Sequence, residues 1–345
     1  MPNGLRQELI AYNAEMVERF AAEKPARAEL RKKHPTHIVT YECMDGRSKL
    51  SQMAKYPKGF IRPRRNIGGM FRMGWSTARE RTTSEIRYAY SKGRNCLFIS
   101  TYHFSESDTH LGCAGFKYDT TAARASSKRL TDELNFAYRG VNDLQNNYAI
   151  QIGIETDREA FVLHSADDTK EISMASIEDT GDASLLKLIR AYHPDMPERI
   201  MLDLVPLLRG NVEHVHETRG RKIEGDLNHK ENLIFFGYGF DWFKKINVAL
   251  KINDDDPHKN VNVAVAAKIV LKNRDDGRIS DAGALVLVSV PYYDDHERNA
   301  AVLNAKYLTE LAKESIKEAH GDNAKFFQYL TCVMQWKSRR LEVVE

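Results

Sequence analysis

The chain has 345 residues, 42% hydrophobic and 29% charged, which are values of a globular protein long enough for two domains of ordinary size. Its 51 basic and 48 acidic residues give a net charge of only +3, which offers no reason to expect a nucleic-acid-binding surface. Four cysteines are too few for a disulfide scaffold of this length, so we expect a reducing compartment.

Two further features of the sequence bear on its location. The N-terminus, Met1-Pro2-Asn3-Gly4, lacks the basic-then-apolar pattern of a signal peptide. No apolar run approaches the roughly 20 residues that a membrane-spanning helix needs. We therefore expect a cytoplasmic protein with no membrane partner, or one in a compartment assembled inside the cytoplasm.

The first half of the chain predicts helices and strands in alternation. In chain order they are a helical stretch over 4–33 with a break near Pro25, a strand over 37–42 leading to Cys43, a strand and glycine turn over 60–69, a helix over 80–93, a strand over 96–102 leading to His103, a helix over 120–138 and a hairpin over 148–164. Such alternation indicates an α/β fold with a partly parallel sheet, in which sites gather beyond the carboxyl ends of strands.

The second half repeats these landmarks weakly. Strands over 233–239 and 284–290, a helix over 299–319 and a hairpin over 329–344 follow one another at similar spacings. We interpret this order as a diverged internal duplication. The predicted organisation is an N-terminal helical segment at 1–34, a first α/β domain at 35–170 and a degenerate copy at 171–345.

Residues that can bind a metal follow two of the predicted strands. Cys43 ends the first strand, His103 ends a later one, and His110 lies three residues before Cys113 on the loop beyond it. Two thiolates and an imidazole are ligands that a catalytic Zn²⁺ takes, with a fourth position left for water. The sequence therefore predicts a Zn²⁺ site at Cys43, Cys113 and one histidine, either His103 or His110.

The turn after Cys43 also carries an acidic and a basic side chain, Asp45 and Arg47. A carboxylate beside the metal can accept a hydrogen bond from the nucleophile and turn its lone pair toward the substrate. A guanidinium can hold that carboxylate in a bidentate pair and keep it ionised. The spacing therefore predicts a catalytic Asp45–Arg47 dyad.

The pattern C-x-D-x-R followed by H-x-x-C resembles the active-site signature of the β-class carbonic anhydrases. The resemblance extends to Arg65-Asn66-Ile67-Gly68-Gly69, similar to the family's R-N-x-G/A-N strand, and to Ser84-Glu85-Ile86-Arg87-Tyr88-Ala89, similar to its S-x-E-Y-A helix. It implies a mixed sheet flanked by helices, Zn²⁺ at Cys43 and Cys113, the dyad, and dimers. Residues 35–170 would then be the zinc-binding catalytic domain, and 171–345 a zinc-less copy.

The sequence departs from the ordinary family pattern at two points. Gly46 stands where family members usually carry serine, and the ligand histidine, which usually both ends its strand and lies three residues before the cysteine, is divided between His103 and His110. A lengthened loop and a degenerate second copy are closer in layout to the carboxysome shell carbonic anhydrases. That layout and the rigidity of a strand end favour His103 as the ligand. His110 stays the alternative.

The resemblance implies an enzyme, a carbonic anhydrase that hydrates CO₂ reversibly to bicarbonate by zinc-bound hydroxide. Two alternatives are a hydrolase of carbonyl sulfide or carbon disulfide with the same site, and a non-catalytic zinc-binding protein associated with a carboxysome shell. The expected partners are the small-molecule substrate, further copies of the chain, and carboxysome shell or cargo proteins. The expected location is the cytoplasm, extending to the inside of a carboxysome.

Two other segments gave weaker hypotheses. Glu213-His214-Val215-His216 would offer a metal-binding pair if it formed a strand, because residues i and i+2 share a strand face. No cysteine lies nearby, so a metal site there is the less favoured interpretation. The basic run Arg62-Pro63-Arg64-Arg65 is interpreted as a solvated turn.

Overall fold

The computed structural model describes residues 2–140, 146–219, 229–245 and 247–344. Spatial contacts divide the chain into two compact units. Unit 1 comprises Met1–Pro25, Met44–Gly46 and Asn228–Glu345, and unit 2 comprises Ala26–Cys43 and Arg47–Leu227. The predicted domain boundaries after residues 34 and 170 stay a prediction. The contact-based units differ from them, because residues 171–227 fall in unit 2.

Within the described residues the chain forms helices and strands in alternation over much of its length. The helices are α1 (Pro2–Ala22), α2 (Lys24–Lys33), α3 (Leu50–Met53), α4 (Ser76–Tyr90), α5 (Thr120–Tyr138), α6 (Asp182–Tyr192), α7 (Glu198–Thr218), α8 (Lys259–Asp275) and α9 (Asp295–His320). The strands are β1 (His37–Cys43), β2 (Ile61–Asn66), β3 (Cys96–Phe104), β4 (Asn147–Glu155), β5 (Ala160–His164), β6 (Glu171–Ser173), β7 (Leu233–Gly237), β8 (Ala249–Ile252), β9 (Ala284–Tyr292), β10 (Phe327–Gln335) and β11 (Arg340–Val343).

Unit 2 is built on a six-stranded sheet with the order β2-β1-β3-β4-β5-β6. Strands β2, β1, β3 and β4 are parallel neighbours, and β5 and β6 are added in antiparallel fashion. Parallel strands need crossover connections. Helix α4 lies in the connection from β2 to β3, and helix α5 lies in the connection from β3 to β4. The carboxyl ends of β1 and β3 therefore meet at one edge of the sheet.

Apolar side chains cover both faces of this sheet. Ile38 and Leu97 belong to a core cluster that includes Leu204 of α7, whereas the adjacent residues Val39 and Phe98 belong to a second cluster with helices α4 and α5. Neighbouring residues of a strand point to opposite faces, so the two clusters are the two faces of one sheet. Burial on both faces explains the nearly continuous apolar runs of these strands.

Unit 1 contains a five-stranded sheet with the order β11-β10-β9-β7-β8. Read from its other edge, β8-β7-β9-β10-β11 has the connectivity of β2-β1-β3-β4-β5. In both sheets four parallel strands come first, and the last of them pairs with an antiparallel strand to form a hairpin. The α/β prediction with a second, diverged copy of the fold is thereby confirmed.

The core of unit 1 includes an aromatic cluster that the sequence marks between residues 235 and 243. Phe235 and Trp242 are fully buried and Phe243 is nearly so, and ring contacts join all three. Leu9 and Met16 of α1 pack into the same cluster. These aromatic side chains are therefore part of the core that holds unit 1 together.

The strand that a metal pair at 213–216 would need is not formed, and the interpretation of the basic run at 62–65 is wrong. Residues 213–216 lie in α7 and not in a strand, so His214 and His216 point in different directions around the helix. His214 pairs with Glu159 at 2.6 Å, and His216 lies 3.1 Å from the Ile177 carbonyl oxygen. The basic run at 62–65 is not a solvated turn but part of β2, where the side chains of Arg64 and Arg65 are buried.

Candidate metal centre

Strands β1 and β3 bring Cys43 and His103 to the same edge of the sheet of unit 2. The two strands pair in parallel, with Tyr41 opposite Ser100, so Cys43, two residues further on, comes level with the residue before His103. Cys43 is the last residue of β1, and His103 is the last but one of β3. Both side chains are buried. A rigid sheet therefore fixes the direction of two of the predicted ligands.

Cys113 reaches this edge from the loop that follows β3. The start of that loop is held by Asp157, whose carboxylate accepts hydrogen bonds from the Ser105 hydroxyl at 2.8 Å, the Glu106 amide at 2.6 Å and the Ser107 hydroxyl at 2.7 Å. Burial alone would raise the pKa of Asp157, but these donors outweigh it and lower the pKa. The lengthened loop is thus pinned by an ionised carboxylate that the sequence did not reveal.

A glycine turn after β2 packs closely against the backbone at the ends of β1 and β3. Gly69 has φ +65°, which side chains rarely adopt, and an added Cβ would lie 3.3 Å from the Glu42 carbonyl carbon and 3.4 Å from the Thr101 carbonyl oxygen. Backbone from β1 and β3 therefore approaches the turn closely. This accounts for a glycine in the motif R-N-I-G-G.

Three of the predicted ligands form one compact cluster. The ligand atoms of Cys43, His103 and Cys113 all lie within 4.8 Å of one another, and all three residues are buried. The two sulfur atoms are 3.8 Å apart. Two Zn–S bonds of about 2.3 Å at a tetrahedral angle would separate the sulfurs by about 3.8 Å. Within the described residues, this is the only group of three or more such side chains close enough to hold a metal ion.

The imidazole of His103 also fits a metal ligand. The residue is 1% exposed, and neither ring nitrogen has a hydrogen-bond partner among the described residues. Buried polar atoms are normally satisfied, so an imidazole left without a partner beside two thiols points to a missing ligand. Two sulfurs and one nitrogen form a soft donor set, which suits Zn²⁺ better than Mg²⁺ or Ca²⁺. The residues present therefore fit Zn²⁺ with one coordination position left open.

His110 does not join the cluster. Its side chain is 79% exposed, and its Nδ1 lies 3.2 Å from the carboxylate of Asp108 on the same short turn. The ring packs against Tyr118 with centroids 5.3 Å apart. The structure thus separates the histidine with the H-x-x-C spacing from the two cysteines, and places the strand histidine with them.

Asp45 and Arg47 lie on the turn that follows Cys43, and both are buried, at 7% and 5% exposure. Within unit 1, strand β8 holds the backbone before Asp45, because the Lys251 amide donates to the Met44 carbonyl at 2.9 Å. The turn is therefore an ordered part of the protein. The pairing of Asp45 with Arg47 stays a prediction.

Comparison with known proteins bears on the first half of the chain. Residues 33–187 match the family model described as carboxysome shell carbonic anhydrase, catalytic domain. The match confirms the resemblance found in the sequence, and it marks this segment as a carbonic anhydrase catalytic domain. No match is found among curated proteins. Among the described residues, no helix combines the length and the apolar character needed to cross a membrane.

Proposed function

We propose that the carbonic anhydrase catalytic domain at residues 33–187 uses Zn²⁺ to interconvert CO₂ and bicarbonate, with Cys43, His103 and Cys113 as the metal ligands. The observation that carries this proposal is the buried cluster of two thiols and one unsatisfied imidazole. Its sulfur spacing suits a tetrahedral ion, and its fourth position is open for water.

When bound, Zn²⁺ supplies a Lewis acid that makes a water molecule acidic enough to ionise near neutral pH. Cys43 and Cys113 contribute two negative charges, which offset that effect and increase the importance of a nearby acceptor. The Asp45 carboxylate accepts the hydrogen of the attacking oxygen and turns its lone pair toward CO₂. Arg47 binds Asp45, keeps it ionised and holds it away from the metal ligands.

Two alternatives use the same cluster. A hydrolase of carbonyl sulfide or carbon disulfide needs the same nucleophile, and the difference lies in the pocket that admits the substrate. A structural zinc site would need four protein ligands and no acid–base pair. The three-ligand cluster and the buried Asp45 and Arg47 favour catalysis over a structural role.

The test is stopped-flow measurement of CO₂ hydration with a pH indicator, before and after removal of metal by a chelator. We expect about one Zn²⁺ per chain from the three-ligand cluster, loss of activity on chelation and recovery with Zn²⁺. Asp45→Ala should keep its zinc and lose roughly 10²-fold or more in rate, the usual cost of removing a preorganised polar group. Asp132→Ala is the matched control, because Asp132 is exposed on α5 and pairs only with Lys128 among the contacts described.

Each alternative has its own outcome in this experiment. Carbonyl sulfide hydrolysis with no CO₂ hydration would select the hydrolase. Full zinc content with neither activity would select the structural protein. Near-full CO₂ hydration by Asp45→Ala would contradict the role given to Asp45.

We extend the proposal to assembly. The matched family is described by its association with carboxysome shells, and we propose the same setting for this chain, with homo-oligomers of two or more copies and a degenerate, zinc-less second domain. Light scattering of the purified protein measures its mass in solution. Sedimentation with purified carboxysome shells, compared with the free protein alone, tests shell association. A monomeric mass would contradict the proposed homo-oligomer. Protein that stays in the supernatant in the presence of shells would contradict the proposed shell association.

A further inference from the structure

Arg65 lies on β2 where the neighbouring strand reaches the metal centre. In the parallel pairing of β1 with β2, Glu42 lies opposite Arg65 and Cys43 lies opposite Asn66. Arg65 is 6% exposed, so its guanidinium lies inside unit 2 beside the last residues of β1. A buried guanidinium needs hydrogen-bond acceptors to offset the loss of water. The acceptors of Arg65 show which parts of the chain it holds.

The guanidinium of Arg65 contacts both ends of the turn that follows β1. Its Nη1 donates to the Cys43 carbonyl oxygen at 2.9 Å, and its Nη2 donates to the Ser48 carbonyl oxygen at 2.5 Å. The four residues between these carbonyl groups include Asp45 and Arg47. One side chain therefore joins the two ends of the segment that carries the predicted dyad.

A buried carboxylate fixes the position of the guanidinium. Arg65 Nη2 lies 2.5 Å from Glu42 Oε2, and the Thr40 hydroxyl donates to Glu42 Oε1 at 2.5 Å. Glu42 is only 1% exposed, so the ion pair is shielded from solvent and from salt. A planar guanidinium can satisfy two carbonyl oxygens and a carboxylate at once, whereas the ammonium of lysine is a single point of charge.

We propose that Arg65 is a positioning residue, which sets the direction of the Cys43 thiolate and the conformation of the turn that carries Asp45 and Arg47. The inference rests on the proposed function, because the conformation of this turn affects turnover only if the turn takes part in catalysis. Loss of a group that orients metal ligands typically costs 10–100-fold in metal affinity or activity. We expect a loss of that size here.

The adjacent residue Arg64 provides a matched control. It lies on the same strand, is 4% exposed, and donates to Glu85 at 2.6 Å. Because neighbouring residues of a strand face opposite sides of the sheet, its guanidinium points away from that of Arg65. Arg64→Lys therefore makes the same chemical change at an equally buried site on the other face of the strand.

The experiment compares Arg65→Lys with Arg64→Lys in the full chain. For Arg65→Lys we expect kcat for CO₂ hydration to fall about 10–100-fold, with retained zinc and a KM within about twofold of the unaltered protein. Amide hydrogen exchange over residues 43–49, followed by mass spectrometry, should become faster. Arg64→Lys should change neither kcat nor exchange in that segment. If lysine at position 65 prevents folding, the pair Arg65→Gln and Arg64→Gln replaces it.

Three results would overturn the inference. They are an unchanged kcat in Arg65→Lys, unchanged exchange over 43–49, and equal effects from the two lysine variants. Failure of the proposed function is recognised separately, because the unaltered protein would then hydrate no CO₂. Hydrogen exchange would still decide, without any activity, whether Arg65 holds the turn.

Discussion

The sulfur atoms of Cys43 and Cys113 lie 3.8 Å apart in a buried site, although seventy positions separate the residues along the chain. That distance suits two ligands of one ion and exceeds the S–S bond length of about 2.05 Å. A side-chain rotation could nevertheless close it. The pair should therefore respond to metal removal in a way that two isolated thiols would not.

Metal removal is expected to make Cys43 and Cys113 sensitive to oxidation. All four cysteines are free, and burial raises the pKa of Cys96 above its ordinary value and that of Cys332 to about 12, so these two thiols should react slowly. After chelation and mild oxidation, thiol titration of the denatured protein should find two thiols fewer. The zinc-loaded protein should keep all four. Cys113→Ser should lose none to an internal disulfide, and equal oxidation of loaded and chelated protein would contradict the metal assignment.

Replacement of the two candidate histidines should separate their roles. His103→Ala is expected to lower the zinc content sharply, because it leaves two ligands in a buried site. His110→Ala should keep about one zinc per chain, since its side chain is 79% exposed and pairs with Asp108. Metal analysis of both purified variants decides the matter. Full zinc in His103→Ala with loss in His110→Ala would assign the ligand role to His110.

Some elements could be predicted closely because local rules determine them. The helix predicted over 120–138 is observed as Thr120–Tyr138, begun by Asp119, whose side chain accepts from the Ala122 amide at 2.9 Å. Helix α8 was missed. Its segment Val261-Asn262-Val263-Ala264-Val265 alternates like a strand, whereas the buried residues Val263, Ala266, Ala267 and Val270 recur at helical spacing.

The candidate site, like the fold, could be predicted only in part from the sequence. The patterns C-x-D-x-R and H-x-x-C predicted the two thiols and the Asp45–Arg47 pair from residue types and spacing alone. The structure brings the two thiols together, and the pair stays a prediction. The patterns could not choose between His103 and His110, because that choice depends on the path of the loop to Cys113. The start of that path is held by Asp157, about fifty residues further along the chain. The role of Arg65 was also hidden, since its acceptors are mostly backbone carbonyl oxygens, which a sequence motif does not show.

Gly46 should not tolerate the serine that β-class carbonic anhydrases usually carry. Within unit 1, an added Cβ would lie 2.6 Å from the Ala249 carbonyl oxygen, closer than real Cβ contacts allow. Gly46→Ser must therefore shift the turn or β8, at a typical cost of about 1–3 kcal/mol in the free energy of unfolding. Gly74→Ser is the matched control, because nothing lies within 4 Å of its added Cβ. Urea unfolding measures both variants, and a Gly46→Ser protein as stable as Gly74→Ser would show that the turn is not confined.

His193 should make the stability of the protein depend on pH below neutrality. The residue is 1% exposed, and its ring lies perpendicular to that of Tyr148 with centroids 5.8 Å apart. Burial lowers the pKa of His193 from 6.5 to about 4, and the nearby charge of Asp195 opposes this only in part. Between these two pH values the unfolded chain binds a proton that the folded protein does not. Stability is therefore fully present above about pH 6.5 and is lost as the pH falls toward 4.

The comparison of unaltered protein with His193→Phe isolates this effect, because phenylalanine keeps a ring beside Tyr148 and cannot titrate. Urea unfolding of the metal-free proteins at pH 7.5 and 5 should show that the unaltered protein loses about 2 kcal/mol more than the variant. Other groups titrate equally in both and cancel in the difference. His110→Ala serves as the control and should follow the unaltered protein, since its side chain is 79% exposed and lies outside the core. Equal losses in the unaltered protein and His193→Phe would mean that water reaches the His193 ring and that burial does not keep it neutral.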